Sequence, residues 1–114
     1  MRPVALVDAR NVLRSRWPNI REDALVHGVE GWAAREGVDP VIVFDGRAPE
    51  VETGARLVGT GRQIADDWIA EEAARLEGEG ASYWLVTSDR ELRDRAGSAA
   101  ERVIGGGALA AALP

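Results

Sequence analysis

Four short stretches carry carboxylates in settings that could do chemistry: V-D-A-R-N at 7–11, F-D-G-R at 44–47, A-D-D-W-I at 65–69 and T-S-D-R at 87–90. Carboxylates gathered at one site repel one another unless a proton or a cation lies between them. All-oxygen sites of that kind take Mg²⁺ or Mn²⁺, held by one to a few carboxylates plus water. An arginine follows three of these aspartates within two residues: Arg10 after Asp8, Arg47 after Asp45 and Arg90 after Asp89. Arg14 and Arg16 extend the first group, and Arg93 and Arg95 the third. An acidic metal centre rimmed by guanidinium groups suits a phosphodiester, with the metal on the reacting phosphate and the arginines on its neighbours. Any one of these aspartates is equally explained as a turn former or helix N-cap, and any one arginine as its ion-pair partner. Their repetition is what points to a site.

The elements that must position these residues are legible in outline. The runs V-A-L-V at 4–7, V-I-V-F at 41–44 and Y-W-L-V at 83–86 do not alternate polar with apolar, which predicts strands buried on both faces in a parallel sheet. Sites on such sheets form outside the carboxyl ends of the strands, where Asp8, Asp45 and Asp89 fall. A helix is predicted over about 21–36, with Leu25, Val29 and Trp32 on one face and Gly37 closing it. The glycine-rich segment 50–61 holds a short edge strand at 55–58, and a helix over about 65–76 follows. Ser88 and Glu91 fit an S-x-x-E capping box for a helix over 91–96. A short strand at 101–104 and a helical turn or two at 108–113 complete the chain. The order predicts a three-layer α/β/α sandwich with a mostly parallel sheet, as one domain over residues 1–114.

Helical geometry separates the two aspartates of A-D-D-W-I. Ala65, Ile69, Ala73 and Leu76 define the face that meets the sheet. Asp66 lies roughly 60° from the centre of that face and Asp67 roughly 160° away. Asp66 is therefore the residue expected to lean toward the strand ends, and Asp67 a bystander or a group at the rim.

Composition narrows the chemistry further. Fourteen basic against nineteen acidic residues give a net charge of −5, which argues against a basic coat for nucleic acid but leaves room for a local arginine rim. Every basic residue is arginine. Without lysine there is no P-loop, no phospho-receiver site and no Schiff base. Without cysteine there is no disulfide, thiol nucleophile or thiolate metal site. The sequence shows neither a leader nor a long apolar span, so a cytoplasmic protein that does not engage a membrane is expected. Trp17, in S-R-W-P, is a candidate for stacking on a base, whereas Trp32, Trp68 and Trp84 are expected to be buried. His27, the sole histidine, falls mid-helix and away from the strand ends.

V-D-A-R-N, V-F-D-G, A-D-D-W-I and V-T-S-D-R, in this order and with G-G-A-L near the C-terminus, resemble the NYN branch of the PIN-like ribonucleases, particularly the bacterial YacP-like group. The resemblance spans most of the chain and implies a PIN-like fold and metal-dependent endonucleolytic cleavage of RNA, expected to be single-stranded. The family's acidic motif positions fall on Asp8, Asp66 and Asp89, as ligands of one or two Mg²⁺ or Mn²⁺ ions. Its D-x-x-N asparagine falls on Asn11, expected to orient Asp8 or a water through its amide. Asp45, Asp67, Thr87 and Ser88 stand behind or beside these groups, and Arg10, Arg14, Arg16, Arg47 and Arg90 are the expected RNA contacts. Water activated at the metal would attack phosphorus in line while the metal's charge stabilises the leaving oxygen. Two alternatives remain at this stage. A noncatalytic RNA- or protein-binding module on the same fold would have its carboxylates engaged by Arg10, Arg47 and Arg90; a small-molecule phosphohydrolase would have a closed pocket. The chain departs from the family at Ala9-Arg10, where a glycine and an aromatic are usual, and at Asp67, often glutamate. It also ends soon after Leu113, without the longer helical tail of many members. Oligomeric state is left open, a dimer included.

Overall fold

Five strands, all parallel, form the middle layer of the computed structural model, which describes residues 1–114. In chain order the elements are β1 (Val4–Asp8), α1 (Ala9–Arg14), α2 (Glu22–Glu36), β2 (Asp39–Phe44), β3 (Arg56–Gly59), α3 (Ala65–Gly78), β4 (Tyr83–Val86), α4 (Arg90–Ala96), β5 (Arg102–Ile104) and α5 (Gly106–Ala112). The strand order is β3-β2-β1-β4-β5, so β1 is central, with Leu6 beside Val41 on one side and Leu85 on the other.

Two apolar layers hold the sheet, and strand periodicity assigns residues to them. Ala5, Val7, Ile42, Phe44, Trp84 and Val86 pack with α1, α2 and α5 on one face. Leu6, Val41, Val43, Tyr83 and Leu85 pack with α3 and α4 on the other. Successive side chains of a strand point to opposite faces, so an unbroken apolar run is what a doubly covered strand requires. Trp32 and Trp84 meet edge-on across the first layer, their ring centroids 6.1 Å apart. Trp68 is only half-buried, with Arg56 stacked over its ring. The helix of A-D-D-W-I turns Ala65, Ile69, Ala73 and Leu76 into the core, as its periodicity predicts. Gly37 closes α2 in the left-handed region at φ 74, a conformation only glycine adopts without a Cβ penalty.

Several local features differ from the sequence reading. The sheet is wholly parallel instead of mostly so. The polar turn after β1 is a short helix, α1, hidden because only Ala9, Val12 and Leu13 mark its buried side. The capping-box reading of Ser88 is incorrect: Asp89 is the N-cap of α4, its Oδ1 accepting the Leu92 N–H at 2.9 Å. The Ser88 hydroxyl is taken elsewhere, accepting the Gly106 N–H at 2.8 Å. No helix is long and apolar enough to cross a membrane.

Strand order reverses at β1: the chain moves through β2 to β3 on one side, then crosses back to β4 on the other. In an open α/β sheet the crevice at that reversal, beyond the carboxyl ends of the strands, is where ligands bind. Here β1 and β4 flank it, and their ends carry Asp8 and the Thr87–Asp89 segment.

Candidate active site

An open cleft of about 200 Å³ lies at that crevice, lined by Asp8, Arg10, Asn11, Arg14, Asp45, Ile64, Asp66 and Asp89. Four of the eight are aspartates, one from the end of each of β1 and β2 and one from the start of each of α3 and α4. Helices α1, α3 and α4 all begin here, so the partial positive charge of their first turns faces carboxylates or whatever anion joins them.

Asp8 is 5% exposed and is the N-cap of α1. The Thr87 hydroxyl donates to its Oδ2 at 3.0 Å, and the Asn11 backbone N–H to its Oδ1 at 3.4 Å. Burial pushes its carboxyl above the ordinary range; those two hydrogen bonds pull it back, and the charges of Asp66 and Asp45 add to the rise. Asp66 is raised too, first by burial and then by Asp89 and Asp45, with Arg95 opposing. It forms no ion pair and no side-chain hydrogen bond to protein. Asp45 Oδ1 accepts the Ala65 N–H at 2.7 Å. It thereby caps α3 from the end of β2, because the formal N-cap residue, Ile64, has no side chain able to do so. Asp67 faces away from the cleft and pairs with Arg95 at 2.9 Å.

Asn11 does something its spacing did not announce. Its side-chain Oδ1 accepts the Ser88 backbone N–H at 2.8 Å, so the amide holds the segment leading to Asp89 instead of Asp8, which it reaches only through its own backbone N–H. Gly106, at the start of α5, closes this clasp: a Cβ there would lie 2.0 Å from Asn11 Oδ1 and 3.0 Å from its Cγ. Thr87 links the other side, its hydroxyl donating to Asp8 and accepting the Asp89 N–H at 3.1 Å. Thr87 and Ser88 thus stand behind the cleft, joining the strand ends to each other.

Of the arginines expected to meet RNA, Arg10 and Arg14 line the cleft. Arg10 lies 3.9 Å from Asp45 Oδ2, while Arg14, Arg47 and Arg90 are exposed and make no ion pair. Arg47 and Arg90 are outside the cleft wall; Arg16 donates to the Pro114 carbonyl at 3.1 Å. The departure at Ala9-Arg10 has a simple structural reading: Ala9 is buried in the core, and Arg10 projects at the cleft. Ile64, 55% exposed at the cleft lip, was missed by sequence reasoning. Its signal was a helix start, I-A-D-D, that lacks any capping side chain. His27 is exposed and borders the Glu52 carbonyl, away from the cleft.

The donor set, all oxygen with negative charge in excess, suits a hard divalent cation. Three acidic side chains do not, however, converge on one point: no group of three or more is close enough to form a ready cage. The carboxylates are near enough to raise one another's proton affinity without three of them meeting at one point. Mg²⁺ commonly keeps several waters and takes one or two carboxylates, and the residues present fit an ion bound in that way. Ionised carboxylates retain acceptor capacity beyond the two hydrogen bonds accepted by Asp8 and the one accepted by Asp89.

A wholly parallel sheet between two helical layers, with acids gathered at its switch point, is a PIN-like fold. Neither a family sequence model nor a curated protein sequence matches the chain. Among solved structures, a crystal structure of a single-residue variant of Rae1 (YacP) from Bacillus subtilis has a TM-score of 0.74 at 19% identity, over 94% of this chain and 72% of that one. The crystal structure of Rae1 (YacP) itself has a TM-score of 0.71 at 19% identity, over 96% of this chain and 71% of that one. Identity at this level carries the fold.

Proposed function

We propose that this chain is a metal-dependent endoribonuclease that hydrolyses RNA, single-stranded at the point of cleavage, in the cytoplasm. The observation that carries the reading is the cleft itself: four aspartates at the switch point, two with raised proton affinity, and Arg10 and Arg14 on the wall. The resemblance of its motifs to NYN and PIN-like ribonucleases supports the same chemistry.

Asp8, Asp66 and Asp89 would hold one or two Mg²⁺ or Mn²⁺ ions, directly or through water. When bound, such an ion supplies Lewis-acid charge to the phosphate and eases deprotonation of water. The protein's own contribution is positional. Thr87 fixes the Asp8 carboxylate and favours its ionised form; Asp45 anchors the helix that presents Asp66; the Asn11–Ser88–Gly106 clasp sets the loop of Asp89. Arg10 and Arg14 neutralise phosphates beside the one being cut. Asp66, with no protein partner, is the carboxylate freest to bind a ligand.

The noncatalytic alternative required arginines seated on the carboxylates. Only Arg10 approaches one, at 3.9 Å, and neither Arg47 nor Arg90 pairs with any. Exposed residues in the cleft wall also argue against a closed small-molecule pocket. The test is cleavage of end-labelled single-stranded RNA with Mg²⁺, Mn²⁺ or EDTA, by the parent and by the Asp66→Asn and Asp67→Asn variants. Metal-dependent cutting lost in the first variant and kept in the second is expected. Equal cutting by all three proteins, or none by the parent, would remove the proposal.

A further inference from the structure

A second depression adjoins the cleft. Arg14, the last residue of α1, lines the acidic cleft; Ser15 begins a groove of about 320 Å³ whose walls include Arg16, Trp17, Ala110 and Leu113. Gly106 of α5 lies against both Asn11, which lines the cleft, and Ser15, which lines the groove. Trp17 is 89% exposed, whereas Trp32 and Trp84 are buried and Trp68 is half-buried. A free indole forgoes apolar burial worth about 1.5–3 kcal/mol for a large side chain. The groove holds no acidic residue, and Arg16 is its one charged group. That is unusual surface on a chain of net charge −5.

We propose that this groove is a stacking subsite for the single-stranded RNA segment adjoining the scissile phosphate, with one base on the Trp17 indole and the backbone led there by Arg10, Arg14 and Arg16. The inference rests on the nuclease reading of the cleft, since it makes the two depressions parts of one track. Arg10 and Arg14 are four residues apart and therefore neighbours on one face of α1; both line the acidic cleft, and the next residue, Ser15, begins the groove. Aromatic stacking with a guanidinium rim and no fixed acid is the chemistry of sequence-tolerant single-strand binding. The cationic edge repels a basic partner, and the adjacency in sequence of Arg14 in the cleft and Ser15 in the groove favours the RNA strand proposed for the cleft.

The test uses the full chain, its Trp17→Ala and Trp17→Phe variants, and labelled single-stranded RNA in a short and a long form. Equilibrium binding is followed by anisotropy in EDTA, and KM by initial rates in Mg²⁺. For the long RNA, Trp17→Ala is expected to weaken binding about 5- to 150-fold and raise KM in parallel, with much less effect on the short form. Trp17→Phe, which keeps a stacking face, restores most of the loss. Thermal unfolding of both variants should match the parent because the side chain is exposed. Unchanged binding in Trp17→Ala, while Asp66→Asn still abolishes cutting, would overturn the subsite and leave the nuclease standing. RNA binding that depends on Trp17 without any cutting would keep Trp17 as an RNA-stacking residue but overturn its place beside a scissile phosphate, and remove the nuclease. Loss of a dimer in Trp17→Ala with unchanged RNA affinity would assign the groove to a second copy and overturn the proposal.

Discussion

Gly106→Ala is the most discriminating single change in this protein, because two physical effects predict opposite signs. Alanine is favoured over glycine within a helix by up to about 1 kcal/mol, so propensity alone predicts stabilisation. The clasp predicts the reverse. A Cβ at 2.0 Å from Asn11 Oδ1 forces the amide to turn away from the Ser88 N–H. Losing that hydrogen bond costs about 0.5–1.5 kcal/mol, at the low end here because Ser88 is exposed and its N–H can be rehydrated. Crowding at a packed position adds about 1–3 kcal/mol. The net expectation is a loss of about 1–2 kcal/mol, or a fall in Tm of roughly 4 °C or more for each kcal/mol. Cleavage should fall further than stability, since displacing a reacting group by about 1 Å can cost on the order of 10²-fold. Urea unfolding of the parent, Gly106→Ala, Asn11→Ala and the double variant forms the assay. In the Asn11→Ala background the severe clash is gone and only the Ser15 Oγ, 3.2 Å from the added Cβ, stays close, so Gly106→Ala should cost little or nothing there. Additive effects within about 0.5 kcal/mol, or a single variant more stable than the parent, would refute the clasp.

Other consequences follow from the charges. The folded-state proton affinity of Asp66 is raised, so its ionised form costs stability above the ordinary aspartate range and costs nothing below it. Asp66→Asn should therefore stabilise the chain at pH 7 by roughly 0.5–1 kcal/mol, modest because the half-buried side chain is screened. That advantage should vanish below about pH 4; an advantage independent of pH would show that charge is not its cause. Thr87→Val removes the hydroxyl that favours ionised Asp8. It should cost about 1.5–3 kcal/mol at neutral pH and less in acid, and move the acid limb of the cleavage profile to higher pH; an unmoved limb would separate Asp8 ionisation from turnover.

How much of this was visible in the sequence depends on how local each cause is. The three buried strands show because double burial demands an unbroken apolar run, and the A-D-D-W-I helix shows because one face is apolar at helical spacing. Asp66 could be separated from Asp67 by angle alone, and the structure places Asp66 on the cleft and Asp67 against Arg95. Contacts between distant segments left no such trace. Nothing near Asn11 announces Gly106, and nothing near Asp45 announces the helix it caps. Ser88 satisfied a capping pattern, but Asp89 is an equally good N-cap one residue later and the serine hydroxyl had a competing partner. α1 escaped notice because six residues hold too few apolar positions to display a period.

The central place of β1 has a consequence for how the molecule comes into being. Thr87 meets Asp8 across 79 residues, and Ser88 meets Asn11 across 77. Loop closure over such spans comes before any contact rewards it, which makes parallel topologies slow to complete. The strand that must dock beside β1 emerges late in synthesis, and it brings Asp89 toward charges already in place. Repulsion among the acids is therefore deferred until the rest of the sheet can oppose it. In refolding, cleavage should return with the slowest phase and not before, and earlier return would show the site forming without β4. If the cleft cuts RNA as proposed, a half-folded chain would carry its acids without their constellation and leave RNA uncut until the fold closed.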